Sequence, residues 1–166
     1  MTQENIIIQD LVKKFPFLEG KAMIQRTRRL MAEVDSDRFE EVFSYAQQSL
    51  GFTVLCTITG LDEGQALGFI YHMSRNDGIT FSLKFSRPKD DPVIKSMVRY
   101  FPSSDIYERE LIDLLGAEVE GLPDGNRYPL PDDWPKDEHP LRKDWKSKSV
   151  YTATRGCTKE EGVKDA

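Results

Sequence analysis

The sequence is poor in the residues from which cofactor sites are built. It holds two cysteines, Cys56 and Cys157, and two histidines, His72 and His139. An iron–sulfur cluster takes four cysteine ligands, so the chain alone is expected to hold none. Neither cysteine has the CxxC spacing of a zinc or redox site, and two isolated cysteines suit a reducing compartment. No apolar run approaches the roughly 18–20 residues that span a bilayer. The opening MTQENIIIQDLVKKF lacks the basic flank and long apolar run of a secretory signal. A basic surplus is also missing: the formal charge of −5 argues against nucleic acid as a partner. The glycines of GLDEGQ (60–65) fit neither a dinucleotide fingerprint nor a P-loop. These absences describe a soluble, cytoplasmic polypeptide without a cofactor of its own.

What the chain has in excess is proline in one place. Six of its nine prolines fall between Pro102 and Pro140. The arm with Pro123, Pro129, Pro131, Pro135 and Pro140 cannot be helical, because each ring removes an N–H and extends the residue before it. A central strand is excluded too, since proline donates nothing to a ladder. Yet Leu122, Tyr128, Leu130, Trp134, Leu141 and Trp145 punctuate it, and bulky anchors on a stiff backbone lose little entropy on docking. The arm is therefore read as lying on a surface, either its own domain's or a partner's. Residues 105–145 carry 12 acidic and 5 basic side chains. An acidic arm favours a basic partner surface, or is simply a solvated loop.

The periodicities in front of the arm predict an α+β fold. Ile8, Leu11, Val12 and Phe15 predict a helix over 4–15, stopped by Pro16. Residues 22–34 read as one strand, and Arg26, Arg28 and Arg29 as a solvated face or an acidic-partner patch. Asp35 and Ser36 are expected to cap a helix carrying Phe39, Val42, Phe43, Ala46 and Leu50, with Gly51 at its end. Strands follow at 52–59, 66–74 and 78–86, the last two joined by a turn at 75–78. In the first of these, Phe52, Val54, Cys56 and Ile58 share a face, so Cys56 reads as a small buried residue. In the last, Ile79, Phe81, Leu83 and Phe85 alternate with Thr80, Ser82, Lys84 and Ser86, giving one buried face and one wet or partner-facing. His72 reads as a hydrogen-bonded structural histidine. Ile94, Met97, Val98 and Phe101 predict a short helix begun by Asp91 and Pro92. A further helix spans 105–115 and ends at Gly116. Together these elements imply a mostly antiparallel sheet of about four strands with helices packed on one face, followed by an extended proline-rich C-terminal arm. The expected divisions are 1–116, the α+β domain; 117–145, the partner-binding arm; and 146–166, a polar, flexible tail.

The last helix concentrates charge. Arg109 lies four residues from both Asp105 and Asp113 and can pair in either direction. Glu108 can close a capping box with Asp105. Glu108, Arg109, Glu110 and Asp113 support two readings. As paired carboxylates they could serve an independent small enzyme. As ion pairs they fix the helix end and hold the arm through Arg127 or Arg142. No nucleophile or ligand set accompanies them, which favours the second.

The blocks Tyr107-Glu108-Arg109-Glu110, Asp113-Leu114-Leu115-Gly116, Pro123-Asp124, Leu130-Pro131-Asp132-Asp133-Trp134 and His139-Pro140-Leu141-Arg142-Lys143-Asp144 resemble the signature of the 30 kDa subunit of respiratory NADH dehydrogenase, complex I. The same module occurs in related membrane-bound [NiFe] hydrogenases, and residues 126–135 look closer to that branch. The resemblance implies a peripheral-arm subunit with no cofactor or catalytic residues. It implies packing against the 49 kDa-like or [NiFe] hydrogenase large subunit and other peripheral-arm subunits, held to the membrane's cytoplasmic face by partners. On that reading Glu108, Arg109, Glu110 and Asp113 set the arm's exit, Arg127 can hold the arm, and Trp134, His139, Arg142 and Asp144 make the contact. A free regulatory module is the remaining alternative.

Overall fold

The computed structural model describes residues 2–146. The tail from residue 147 on, with Cys157, lies outside the described residues. Helix α1 (Gln3–Lys14) is capped by Thr2 and buries Ile7 and Leu11. A single 3-10 turn at Pro16–Leu18 follows. Residues 22–34 form a hairpin rather than one strand: β1 (Ala22–Arg26) and β2 (Arg29–Glu33) pair antiparallel. The turn between them places Arg28 at φ 61°, a left-handed conformation that breaks a continuous strand.

Helix α2 (Phe39–Gln48) buries the expected stripe, but its N-cap is Arg38 with no side-chain cap bond. Asp35 and Ser36 lie too far upstream to reach its first amides. Strands β3 (Val54–Asp62), β4 (Ala66–Ser74) and β5 (Thr80–Pro88) complete a five-stranded sheet of order β1-β2-β5-β4-β3. Three of its four pairings are antiparallel; β2 and β5 run parallel. Strand β3 continues through Asp62, so the expected loop at 60–65 shrinks to a tight turn.

All three helices cover one face. Phe39 and Phe43 of α2 meet Tyr71 and Phe85, with Phe39 and Phe85 centroids 4.4 Å apart. Leu30, Ala32, Phe69, Tyr71, Met73, Phe81 and Leu83 all point to this side and are fully buried. The opposite face carries Met31, His72 and Ser82 in register. Ser82 and Thr80 are almost fully buried there, without a covering helix, because His72 and Arg29 lie over them and bond to them. His72 bridges Thr59 at 3.1 Å and Ser82 at 2.8 Å, and burial, followed by the charge of Arg29, holds its pKa below the ordinary histidine value.

Cys56 is exposed, contrary to the alternation read from the sequence. The β3–β4 register slips between Leu55 and Thr57. A bulge of this kind inserts one unpaired residue and reverses the alternation beyond it. Leu55 and Ile58 therefore face the core, while Val54 and Cys56 face solvent.

The helix expected over 92–101 is also absent. Residues Val93–Lys95 form β6, which pairs parallel with β7 (Glu118–Glu120) after helix α3 (Ser104–Leu115). Ile94, Met97 and Phe101 are buried as the pattern demanded, through a strand and turns instead. The pairing partner is supplied from beyond α3, so the local period could not reveal it.

Helix α3 lies directly on β3. A β-carbon at Gly60 would sit 2.3 Å from Leu115 Cδ1 and 2.6 Å from Leu111 Cδ2. Gly60→Val is expected to overpack this contact and cost about 1–3 kcal/mol. The measurement is a lowered urea midpoint with an unchanged slope.

Candidate functional site

Every candidate residue maps to α3 or to the arm folded against it. Leu111 and Leu115 seat α3 on the sheet, and Gly116 ends it at φ 70°, a conformation that glycine adopts freely. No β-carbon is tolerated there for a second reason: it would lie 2.5 Å from the His139 ring and 2.7 Å from Arg142.

Glu108 does not close a capping box. Its side chain is fully buried and accepts from Met97 N at 2.7 Å and Ser96 Oγ at 2.6 Å. Burial pushes its pKa up, and these two bonds partly oppose the shift. Sealed from solvent, this carboxylate ties α3 to the segment that follows strand β6. Asp105 instead accepts Arg109 Nε at 3.1 Å and Nη2 at 2.8 Å.

Arg109 also reaches the arm, donating to Pro123 O at 2.7 Å and to Asn126 O at 3.4 Å. Asp113, almost fully buried, takes Arg127 rather than Arg109. Arg127 Nε lies 3.2 Å from both of its oxygens, Nη2 donates at 3.1 Å, and Leu130 N adds a bond at 3.1 Å. Arg127 Nη1 then holds Trp134 O at 2.7 Å.

The end of α3 exposes carbonyls that no helical amide can satisfy. The arm supplies the donors. His139 Nδ1 donates to Asp113 O at 3.0 Å and Leu141 N to Leu114 O at 3.0 Å. Arg142 Nε donates to Leu115 O at 2.6 Å and Nη2 to Gly116 O at 3.3 Å. A guanidinium at this end also suits the negative pole of the helix. Trp134 and Trp145 pack with centroids 6.0 Å apart, both bonded to the buried Glu138.

Asp144 stands apart from this cluster. It shares Lys89 Nζ with Asp62, at 2.9 and 2.8 Å, and Asp62 also accepts Lys143 N at 2.8 Å. The Asp62 side chain is only 2% exposed, under a thin cover of Lys89 and the arm rather than by depth. Lys89 first, then the Lys143 amide, holds its pKa far below the ordinary carboxylate range; Lys89 also lowers that of Asp144. Glu110 lies at a shallow recess of about 290 Å³ with Thr57, Gly60, Leu114 and Leu141. Sequence reading missed Asp62, Lys89, Ser96 and Met97, whose partners lie 11 to 81 positions away, beyond any local pattern. Among the described residues no cluster of three or more His, Cys, Asp or Glu is placed to hold a metal ion.

The architecture is that of an α+β domain whose last helix is clasped by a proline-stiffened arm. The chain belongs to the family described as "Respiratory-chain NADH dehydrogenase, 30 Kd subunit", which matches residues 32–151. It is 37% identical over 150 residues to an F(420)H(2) dehydrogenase subunit of Methanosarcina mazei, covering 89% of this chain and 94% of that protein. The membrane-bound hydrogenase subunit beta of Pyrococcus furiosus is 27% identical, covering 88% of each chain. An NADH-quinone oxidoreductase subunit of Moorella thermoacetica is 29% identical, covering 84% of this chain and 93% of its own. A chain of the archaeal membrane-bound sulfane sulfur reductase shares the fold, with TM-score 0.82, 20% identity and coverage of 98% and 97%. The trypsin-resistant fragment (1-134) of Nqo5 superimposes with TM-score 0.60 at 23% identity, over 71% of this chain and 99% of its own. The homologues are thus subunits of complex I-like or hydrogenase-type respiratory complexes.

Two outcomes follow. Arg127→Ala leaves the Asp113 carboxylate buried without its cation, an expected loss of about 3 kcal/mol in urea unfolding. Asp62 and Asp144 have depressed folded pKa values, so their stabilisation is present above the ordinary aspartate range and is lost as pH falls through the folded values. Glu108 has the opposite sign and does not contribute to this loss. The two tryptophans are both in the arm, so acidification below about pH 4 should change their emission before far-UV dichroism changes. Asp62→Asn should remove most of that early step.

Proposed function

We propose that this chain is a non-catalytic structural subunit of a respiratory oxidoreductase, docking through its arm on the large subunit of the complex. That partner is of the 49 kDa or [NiFe] hydrogenase large-subunit type, with other peripheral-arm subunits alongside. The observation that carries the reading is the orientation of the arm. Its anchors Arg127, His139 and Arg142 turn inward onto α3, while Tyr128 and Leu141 remain 43% and 56% exposed. A backbone held in this way has little ordering entropy left to lose on association.

The mechanism is positional: the clasped arm presents a fixed surface that keeps electron carriers in neighbouring subunits at their working separation. Relatives named for F(420)H(2), hydrogen and NADH-quinone enzymes support a role that is independent of the electron donor. No helix among the described residues is long and apolar enough to cross a membrane. On this reading the chain is held at the cytoplasmic face of the membrane by its partner subunits, as relatives from membrane-bound complexes suggest.

Arg109→Ala tests the reading. It frees residues 123–126 of the arm, but Asp105, 42% exposed, is resolvated. Folding of the isolated chain should change little. Recovery of the large subunit with the tagged variant should fall about ten-fold, equivalent to roughly 1.4 kcal/mol of docking energy. Undiminished co-purification overturns the docking role of the arm.

A further inference from the structure

We propose that the β1–β2 hairpin is a second docking surface, which takes an extended acidic segment of a neighbouring subunit as a sixth strand along β1. The hairpin lies at the far edge of the sheet from α3 and the arm: β1 and β3 are the two edge strands, and α3 rests on β3. The occupant is thus a subunit other than the one the arm grips, an assignment that rests on the chain's role within a respiratory complex.

The edge is open. Met23 and Ile24 of β1 are 51% and 39% exposed, on opposite faces of the strand. Outside the ladder with β2, the backbone of Ala22–Arg26 makes no backbone hydrogen bond among the described residues. The strand also lacks proline, a common obstacle to further pairing. On the face without helices Met23 pairs with Met31, and the two line a cleft of about 580 Å³ with Val34, Glu33 and Asp35. Adaptable thioethers suit contact with a partner's aliphatic side chain. Met31 and Arg29 are two residues apart on β2 and share this face. The bulge between Ile24 and Arg26 brings Arg26, opposite Arg29, onto the same side as Met23.

Charge selects the occupant. Residues 21–29 carry four basic side chains and no acidic one, in a chain of net charge −5. Arg26 and Arg29 face each other across the hairpin, and like charges so placed are unfavourable until an anion answers them. None of Lys21, Arg26, Arg28 and Arg29 forms a salt bridge among the described residues. Arg29 bonds only the neutral hydroxyl of Thr80. Glu4 accepts the Arg28 amide at 3.0 Å and Thr80 N donates to Arg28 O at 3.0 Å, so the hairpin tip is pinned while its guanidinium groups lack a carboxylate. The complement is an acidic segment. A second copy of this edge would set arginine against arginine. Lipid headgroups would answer the charge but not the open backbone row, which another strand fills. Glu33 and Asp35 in the cleft confine the partner's acids to the Arg26 and Arg28 end, with an aliphatic residue beside Met23.

The photo-crosslinker p-benzoylphenylalanine in place of Met23, in the full chain within the intact complex, reads the occupant directly. The captured peptide should belong to a subunit other than the large one and hold more acidic than basic residues. Amides within 23–26 should exchange about ten-fold more slowly in the complex than in the isolated chain. Arg26→Glu should not lower the urea midpoint, because it sets opposite charges across the hairpin. It should cut recovery of the captured subunit about ten-fold through like-charge repulsion, while Arg26→Lys retains it. Recovery of the large subunit, which reports on the arm, should stay at the wild-type level with Arg26→Glu, so the two surfaces fail separately. Capture of lipid, of a second copy of this chain or of a basic segment overturns the proposal. So does capture of no protein, unchanged exchange, full recovery with Arg26→Glu, or loss of the large subunit with it.

Discussion

The carboxyl end of α3 is the constraint on which the rest depends. A helix must leave its last carbonyls without intrahelical partners, and here those of Asp113, Leu114, Leu115 and Gly116 are met by His139, Leu141 and Arg142. The arm is thereby part of the helix's own hydrogen bonding rather than an appendage. Gly116 makes this possible twice over, by adopting a left-handed turn and by leaving room for the imidazole and guanidinium.

Charge is sorted along the same helix by depth. Glu108 is inside and answers neutral donors, Asp113 is nearly buried and answers Arg127, and Asp105 is at the surface with Arg109. A buried carboxylate is costly unless it is fully bonded, and each of these has partners suited to its environment. The same residues that resemble a catalytic carboxylate pair in one dimension are separated by the helix into unrelated structural duties. Membership of the 30 kDa subunit family agrees with this division of labour, because its members serve as parts of larger assemblies.

Much of this was legible beforehand. The Gly78 turn, the stripe from Phe39 to Leu50 and the glycine stop of α3 are all local, and all appear, whereas the alternation in residues 80–86 is only half kept, because Thr80 and Ser82 are buried on the face expected to be wet. The α+β class with helices on one face follows from them, with five strands instead of about four. The failures share a cause. Cys56 was misplaced by a bulge, 92–101 by a strand partner arriving after α3, and 22–34 by a left-handed arginine. Each was decided by contacts outside the window in which a period can be read.

The sequence by itself determined that residues 123–140 form neither a helix nor a central strand, since proline geometry needs no neighbours, and that the helix before them ends at Gly116; the continuous extension expected there is replaced by turns at 131–134, 135–138 and 139–142. Family membership was readable for the same reason: its signature blocks are contiguous in the chain. Only the tertiary structure decided which cation meets which carboxylate. Arg109 had two partners at equal spacing, and the choice of Asp105 over Asp113 follows from Arg127 approaching along the arm. Ion pairing depends on distance in space and on burial, neither of which the order of residues specifies.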